Sequence, residues 1–143
     1  MKIAICPGSY DPVTYGHLDI IKRSAVLVDK LIVTVFVNPS KKASLFSIEE
    51  RLDMLRETTK DIPNIEVDTS TGLLNVYAAS KNCHLLIRGL RAFSDFEYEF
   101  QRALMIKKID PTLETAFFMT DGRYSYLSST GVRELAYFNG DVS

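Results

Sequence analysis

The sequence predicts an α/β domain of the Rossmann-like type, a three-layer sandwich with a five-stranded parallel sheet between two layers of helices. Strand-like and helix-like segments alternate along the chain, an order typical of parallel sheets with helical crossovers. The run over 31–37 is almost entirely apolar and largely β-branched, as expected of a strand covered on both faces. Right-handed crossovers then place helices on both sides of the sheet.

Five short apolar segments are the predicted strands. The first ends at Pro7 and Gly8, a pair of residues that marks a turn. The predicted strands cover 2–6, 31–37, 65–68, 84–87 and 114–119.

The helices are predicted from apolar periodicity and from capping residues. Leu18, Ile21 and Ala25 recur at helical spacing, with Val28 continuing the series. Ser47 and Glu50 have the spacing of a capping box at the start of a second apolar stripe. The predicted helices cover 16–28, 48–59, 73–81, 93–109 and 129–139, the last ending before Gly140.

Length and composition indicate one soluble globular domain over 1–143. The chain has 143 residues, 46% of them hydrophobic and 24% charged, which is enough to bury a core without metal or disulfides. The formal net charge is −1, so no global basic field attracts nucleic acid or an anionic membrane. A small-molecule partner is therefore favoured, with neither nucleic acid nor membrane as a partner.

The two cysteines are predicted to be buried free thiols of a reducing compartment. Cys6 and Cys83 lie in apolar runs, without a CxxC partner or zinc-ligand spacing. The sequence has no apolar leader with a cleavage site and no apolar stretch of about 20 residues that could cross a bilayer. The expected location is the cytoplasm.

Ligands of such sheets bind beyond the carboxyl ends of the strands, near the point where strand order reverses. In the loop after the first strand, Gly8 permits close approach of a ligand and Ser9 offers a hydroxyl. Gly16 and His17 open a helix whose free N–H groups favour phosphate, and the imidazole can donate to a phosphate as its charge grows. The alternative is that Gly8 and Pro12 shape a turn while His17 caps the helix.

The string from Gly8 to Pro12, followed by Thr14 and then Gly16-His17, resembles the (T/H)xGH signature of the nucleotidyltransferases. The sequence has neither GxxxxGK[ST] nor GxGxxG. A P-loop phosphotransferase and a dinucleotide oxidoreductase are therefore disfavoured.

The remaining loops offer further phosphate ligands. Lys41 and Lys42 follow the second strand and can act as flexible charges, although two solvated lysines explain them equally well. Arg88 and Arg91 flank Gly89 after the fourth strand and can clamp anionic oxygens. Glu99 could accept a hydrogen bond from a ribose or from an arginine. The loop over 124–130 could bind phosphate through its hydroxyls or simply cap the last helix.

The segment IRGLRAFSDFEYE over 87–99 resembles the signature of the phosphopantetheine adenylyltransferase family. The resemblance covers nearly the whole chain, including NPSKK, FSIEER and TGLL. It implies transfer of the adenylyl group of ATP to 4'-phosphopantetheine, giving dephospho-coenzyme A and pyrophosphate in the penultimate step of coenzyme A biosynthesis. It also implies a direct in-line displacement without a covalent enzyme intermediate, and a homohexamer.

The resemblance assigns the site residues by position. His17 would stabilise charge on the α-phosphate, and Mg²⁺ would arrive with ATP, since no carboxylate cluster offers a protein cage. The phosphopantetheine ligands would be Ser9, Lys41, Leu74 and Arg88. The ATP ligands would be Ser9, Tyr10, His17, Gly89, Leu90, Arg91, Glu99, Tyr124, Ser125, Tyr126, Leu127, Ser128, Ser129 and Thr130.

Some positions depart from the family pattern. Ser9 replaces a usual threonine and Tyr10 a usual phenylalanine, and family chains continue through a further C-terminal helix beyond the position of Ser143. Three alternatives stay open: a nicotinamide mononucleotide adenylyltransferase, which SSTGVR over 128–133 also resembles, a cytidylyltransferase, and a nucleotide-binding sensor without turnover.

Overall fold

The computed structural model describes residues 1–37, 45–90 and 93–119, the side chains of 93–96 excepted. Strands and helices alternate throughout these ranges, in the predicted order, and the predicted helix over 129–139 lies outside them. The elements are β1 (Ile3–Gly8), α1 (Tyr15–Ala25), β2 (Lys30–Val37), α2 (Ile48–Thr59), β3 (Ile65–Thr71), α3 (Leu74–Ser80), β4 (Leu85–Leu90), α4 (Phe93–Ile109) and β5 (Glu114–Met119).

The strands form one parallel sheet in the order β3-β2-β1-β4-β5, which confirms the predicted fold class. The β1–β2 ladder runs from Ile3↔Lys30 to Gly8↔Val35, whereas β1 and β4 are in register at Ile5↔Leu86. From β1 the chain builds the sheet in one direction as far as β3, and then returns to β4 on the other side of β1. The topological switch point therefore lies between β1 and β4.

The core is divided between the two faces of the sheet. Ile21 of α1 and Leu55 of α2 belong to one buried cluster, with Val33 of the sheet. Tyr77 of α3 belongs to the other cluster, with Leu86 of the sheet. Because parallel crossovers are right-handed, reversing the direction of strand addition moves the helices to the opposite face. The loops at the switch point can therefore present side chains from both layers of helices.

Three strands extend further than the sequence predicts. β1 continues to Gly8 rather than 6, because Pro7 and Gly8, expected to form a turn, still pair with β2. β3 continues to Thr71 rather than 68 because its polar residues pair along the ladder with β2. β4 continues to Leu90 rather than 87, with Arg88↔Phe117 and Gly89↔Phe118 paired across to β5. Arg88 is thus part of a strand and not of a loop, and its backbone is held in place by pairing with β5.

Two other local expectations from the sequence, a capping box and buried free thiols, are confirmed. The Glu50 N–H donates to Ser47 Oγ at 3.1 Å and the Ser47 N–H donates to Glu50 Oε1 at 3.0 Å, which is the predicted capping box. Cys6 and Cys83 are buried free thiols. In the described ranges, none of the helices combines the length and apolar character that a membrane span requires.

Candidate active site

The loop after β1 folds back onto its own strand through Tyr10. The Tyr10 hydroxyl donates to the Cys6 carbonyl at 2.9 Å, and the side chain is only 2% exposed. Its backbone has a φ of +46°, in the left-handed region that non-glycine residues rarely adopt. A β-carbon at Gly8 would lie 3.1 Å from Cε2 of this buried ring. Glycine at position 8 therefore leaves the space that Tyr10 occupies.

His17 lies at the N-terminus of α1, in the third helical position, and takes part in a capping box with Thr14. The Thr14 N–H donates to His17 Nδ1 at 3.0 Å, and the His17 N–H donates to Thr14 Oγ1 at 3.3 Å. The imidazole also packs edge-on against Tyr10, with ring centroids 4.9 Å apart and an interplanar angle of 66°. The ring is thus oriented from two sides.

The capping interpretation of His17 and its functional interpretation are compatible, because they use different nitrogens. A backbone N–H can only donate, so the Nδ1 that accepts from Thr14 carries no proton. In the neutral imidazole the proton is then on Nε2, which is a donor. Anions are favoured at this helix end by the free N–H groups and the helix dipole, and a cationic imidazole is disfavoured there.

Arg88 and Glu99 form a two-pronged ion pair on the α4 side of the sheet. Arg88 Nε donates to Glu99 Oε2 at 3.0 Å and Arg88 Nη2 donates to Glu99 Oε1 at 2.8 Å. Arg88 Nη1 donates to the Pro7 carbonyl at 2.9 Å, which ties β4 to the end of β1. Burial lowers the pKa of Arg88, but the bonds to Glu99 outweigh it and raise the pKa above its usual value. The guanidinium stays charged and held at three points.

Arg88 and Glu99 line a shallow cavity whose empty space of about 240 Å³ includes open solvent, and whose enclosed part has room for about one water molecule. The other lining residues come from α3, α4 and the neighbouring strands: Leu74, Leu86, Arg102, Ala103, Ile106 and Thr115. Leu74 is the first residue of α3 and lines the apolar part of the cavity with Leu86 and Ala103. The cavity combines a charged end with an apolar body.

The buried thiol and phenol next to the site are poorly suited to nucleophilic attack. Burial raises the pKa of Cys6, and the hydrogen bond from Tyr10 offsets this only in part. Burial also raises the pKa of Tyr10 well above its ordinary value, with further contributions from Cys6. Both groups are therefore neutral near pH 7, and the thiolate and phenolate forms that attack phosphorus are suppressed.

Two buried charged residues near the site were not assigned a role by the sequence. Asp11 is 4% exposed and accepts from the N–H groups of Leu45 and Phe46, each at 2.9 Å. Arg51 is 6% exposed and donates to the Ser9 carbonyl at 3.1 Å. A signal for Arg51 was present, because a charge at this position of α2 falls on the same stripe as Leu52 and Leu55.

Three more of the predicted site residues lie at or next to the carboxyl ends of β1 and β4. Ser9 is half-buried between Gly8 and Tyr10, Gly89 is exposed, and Leu90 is half-buried at the end of β4. The described ranges bring Ser9, Tyr10, His17, Leu74, Arg88, Gly89, Leu90 and Glu99 to the carboxyl half of the sheet. The predicted ligands Lys41, Arg91, Tyr124, Ser125, Tyr126, Leu127, Ser128, Ser129 and Thr130 lie outside the described residues.

The chain matches the family model Cytidylyltransferase-like over residues 5–135. A phosphopantetheine adenylyltransferase of Caldanaerobacter subterraneus subsp. tengcongensis is 59% identical over 143 residues, covering 100% of this chain and 89% of the relative. One of Desulfosudis oleivorans is 56% identical, covering 100% and 84%. One of Clostridium tetani is 54% identical, covering 99% and 88%.

Solved structures support the fold. A chain from Vibrio parahaemolyticus, described as a nicotinate-nucleotide adenylyltransferase, superposes with a TM-score of 0.69 at 16% identity, over 100% of this chain and 85% of that one. At this identity the likeness shows the fold alone. The curated relatives, which match almost end to end at more than half identity, show the family. The chain belongs to the cytidylyltransferase-like family and, within it, to the phosphopantetheine adenylyltransferases.

Proposed function

We propose that this chain transfers the adenylyl group of ATP to 4'-phosphopantetheine and releases dephospho-coenzyme A and pyrophosphate. An oxygen of the acceptor phosphate attacks the α-phosphorus of ATP, and the bond from that phosphorus to the β,γ-pyrophosphate breaks. The relatives named for this activity support the proposal, and so does a site built for binding anions at the switch point.

The observation that carries the proposal is the hydrogen bond from the Thr14 N–H to His17 Nδ1. It leaves Nε2 as the donor, at a helix end that favours anions. A neutral donor aimed at the α-phosphate stabilises charge as it develops, without a proton having to be transferred. We assign this role to His17.

The acceptor arm is proposed to lie along the open side of the cavity beside Leu74, with its phosphate near Arg88. Among the described residues, Glu99 and Pro7 accept from three of the five N–H donors of the Arg88 guanidinium, and the other two are proposed to bind an anion. Because Glu99 balances the charge of Arg88, a phosphate dianion needs a further cation. Lys41 supplies it in this proposal, and Arg91 serves the nucleotide. The predicted contact of Glu99 with ATP stays a prediction.

Direct displacement is proposed in place of a covalent intermediate. The neutral, buried states of Cys6 and Tyr10 support this, since neither offers a ready nucleophile. The test uses ATP made chiral at the α-phosphorus by isotope or sulfur substitution. A single in-line step inverts the configuration, whereas retention would indicate two displacements and overturn this part of the proposal.

Mg²⁺ is proposed to enter with the nucleotide. Mg²⁺ takes oxygen ligands, usually keeps several waters and commonly binds through substrate phosphates. When bound, Mg²⁺ would neutralise part of the triphosphate charge.

The decisive experiment is to incubate the protein with ATP, Mg²⁺ and 4'-phosphopantetheine and to measure pyrophosphate release. Release with this acceptor is the expected result. Release only with nicotinamide mononucleotide, or only from CTP, would overturn the proposal in favour of another branch of the superfamily. Nucleotide binding without release would indicate a sensor.

The homohexamer and the cytoplasmic location stay predictions, as does the single domain over 1–143. Exposed apolar side chains on α4 support self-association: Phe100 is 44% exposed, Leu104 51% and Met105 65%. Sedimentation equilibrium should give six times the chain mass. A monomer at micromolar concentration would contradict the hexamer.

A further inference from the structure

We infer that Tyr77 and Asp68 are positioning residues that fix α3 on the sheet and thereby hold Leu74 in place beside the acceptor. The inference rests on the proposed function, in which the acceptor arm lies along the cavity that Leu74 lines. The hydrogen bonds of the Tyr77 hydroxyl with Asp68 and Thr34, together with the ion pair between Asp68 and Lys81, are called the α3 anchor below.

The helix α3 has little of its own to fix its position. It has only seven residues, and the side chain of its N-cap residue, Leu73, makes no capping hydrogen bond. Helices this short are marginal in isolation, because few hydrogen bonds offset the cost of forming the first turn. Contacts with the sheet must therefore determine where α3 lies.

Tyr77 makes polar contacts with two neighbouring strands. Its hydroxyl donates to Asp68 Oδ2 of β3 at 2.6 Å and accepts from Thr34 Oγ1 of β2 at 3.2 Å. Tyr77 and Thr34 are both buried, so water cannot readily replace either partner. Burial and the bond to Asp68 raise the pKa of Tyr77, and the hydroxyl therefore keeps the proton that it donates.

Asp68 is itself held in position. Its Oδ1 accepts from the Thr69 N–H at 2.8 Å, and Nζ of Lys81, the C-cap residue of α3, lies 3.3 Å from its Oδ2. One carboxylate thus binds the middle and the end of the same short helix, at Tyr77 and at Lys81. Because these two contacts are about one turn apart, they limit both rotation of the helix and its translation along the sheet.

Leu74 connects the α3 anchor to the cavity. It lies three residues before Tyr77, so the two side chains are on the same face of α3. Leu74 packs against the buried cluster that contains Tyr77 and Leu86, and it lines the cavity together with Leu86 and Arg88. A shift of Tyr77 therefore moves Leu74 as well and changes the wall along which the acceptor arm is proposed to lie.

The first test is Tyr77→Phe, which removes the hydroxyl and keeps the ring. Calorimetric titration with 4'-phosphopantetheine should give a Kd raised about fivefold or more, because a hydrogen bond to a charged group is lost. The Kd for ATP should change less than about twofold, since His17 lies on α1, which packs on the opposite face of the sheet. Asp68→Ala should have a similar effect, and the double variant should raise the acceptor Kd no further than the larger single change.

Thr59→Val is the matched control. Like Tyr77→Phe, it removes a buried hydroxyl, because Thr59 Oγ1 donates to the Leu55 carbonyl at 2.6 Å within α2, on the other face of the sheet. It should lower the unfolding free energy and leave the acceptor Kd unchanged. The control thus separates a loss of stability from a loss of position.

A second readout does not depend on binding or turnover. The methyl chemical shifts of Leu74, measured by NMR, should change in Asp68→Ala, which leaves the neighbouring Tyr77 ring chemically intact but free to move. They should keep their wild-type values in Thr59→Val. If Tyr77→Phe does not fold, Asp68→Ala carries both measurements, since the Asp68 side chain is 32% exposed.

The inference is wrong if the acceptor Kd is unchanged in Tyr77→Phe or Asp68→Ala, or if the Leu74 shifts are unchanged in Asp68→Ala. Equal rises of the Kd for both substrates would also overturn it, and so would additive effects in the double variant, since the two residues would then act separately. Absence of wild-type binding and turnover with these substrates would instead overturn the proposed function and the place of the acceptor beside Leu74. The Leu74 shifts would still decide whether the α3 anchor positions the helix.

Discussion

The Thr14 backbone N–H donates to Nδ1 of His17, with 3.0 Å between the two nitrogens. This one bond connects helix capping to the proposed chemistry, because it leaves the proton of the neutral imidazole on the nitrogen that faces away from the cap. The side chain that caps the start of α1 is also the side chain that we propose serves the nucleotide.

The loss of turnover in His17 variants should therefore depend on which ring nitrogen the new side chain can replace. His17→Ala should lower turnover by at least about 100-fold and leave ATP binding largely intact. His17→Gln, whose amide nitrogen can reach the position of Nε2, should keep more turnover than His17→Asn, whose amide is nearer to Nδ1. Steady-state kinetics and calorimetric titration with ATP measure the two effects. Near-normal turnover in His17→Ala would remove the residue from the mechanism.

Substitution of Gly8 should act through Tyr10. In Gly8→Ala the new methyl lies 3.1 Å from the buried Tyr10 ring, which must shift by a few tenths of an ångström and so disturb its edge contact with the imidazole of His17. We expect a larger loss in kcat than in ATP affinity. Tyr10→Phe is the matched control. It keeps the ring, loses the bond to the Cys6 carbonyl, and should cost about 1 kcal/mol of unfolding free energy with little change in kcat. Equal kcat losses in both variants would contradict this explanation.

Removal of Arg88 should affect the acceptor more than ATP. Arg88→Ala should raise the KM for 4'-phosphopantetheine by about 10- to 100-fold, the range for hydrogen bonds to charged groups. Arg88→Lys should be impaired as well, because an ammonium cannot bridge both Glu99 oxygens and also reach Pro7. Arg56→Ala, at an exposed arginine of α2, serves as the control. Equal losses for the two substrates would show that Arg88 does not distinguish them.

Asp68 should make stability depend on pH at the acid end. Burial raises its pKa, but hydrogen bonds from Tyr77, Thr69 and Lys81 together lower it below the ordinary 3.8. A lowered carboxyl pKa stabilises the folded state above the unfolded pKa, and this contribution is lost as pH falls through the folded pKa. The unfolding free energies of wild type and Asp68→Asn should therefore differ at pH 6 and converge below about pH 4. Urea titrations across this range provide the measurement. A constant difference would indicate that charge at Asp68 is not the cause.

Local patterns in the sequence were sufficient for most of the fold. The spacing of apolar residues predicted α4 and β5 with the bounds they have, and Ser47 with Glu50 predicted the start of α2. The end of β4 was predicted too early because Arg88 and Gly89 have the composition of a loop. Their strand conformation comes from pairing with β5, and this pairing is a contact between residues far apart in sequence.

The same distinction applies to the site. The rule that ligands bind at the carboxyl edge of the sheet predicted His17 and Arg88 as site residues. For Glu99 the sequence left two partners open, a ribose or an arginine, and the structure shows an arginine. The roles of Asp11 and Arg51 could not be predicted, because their partners are backbone groups 34 to 42 residues away. Backbone groups carry no signature in the sequence. For Arg51, the one signal in the sequence was a charged residue on the same helical stripe as Leu52 and Leu55, which indicates a charge that needs a partner.

The switch point between β1 and β4 has a consequence for the cohesion of the molecule. His17 follows β1 and Arg88 belongs to β4, so the proposed ligands would lie across the boundary between the two sequence halves that build the sheet. Anything bound to both sides adds its binding free energy to the native state. Without substrates, β1 and β4 are joined by their own short ladder and by the Arg88–Pro7 bond. We therefore expect bound substrates to stabilise the native state of this enzyme across this boundary. Without substrates, local unfolding should begin along the same boundary.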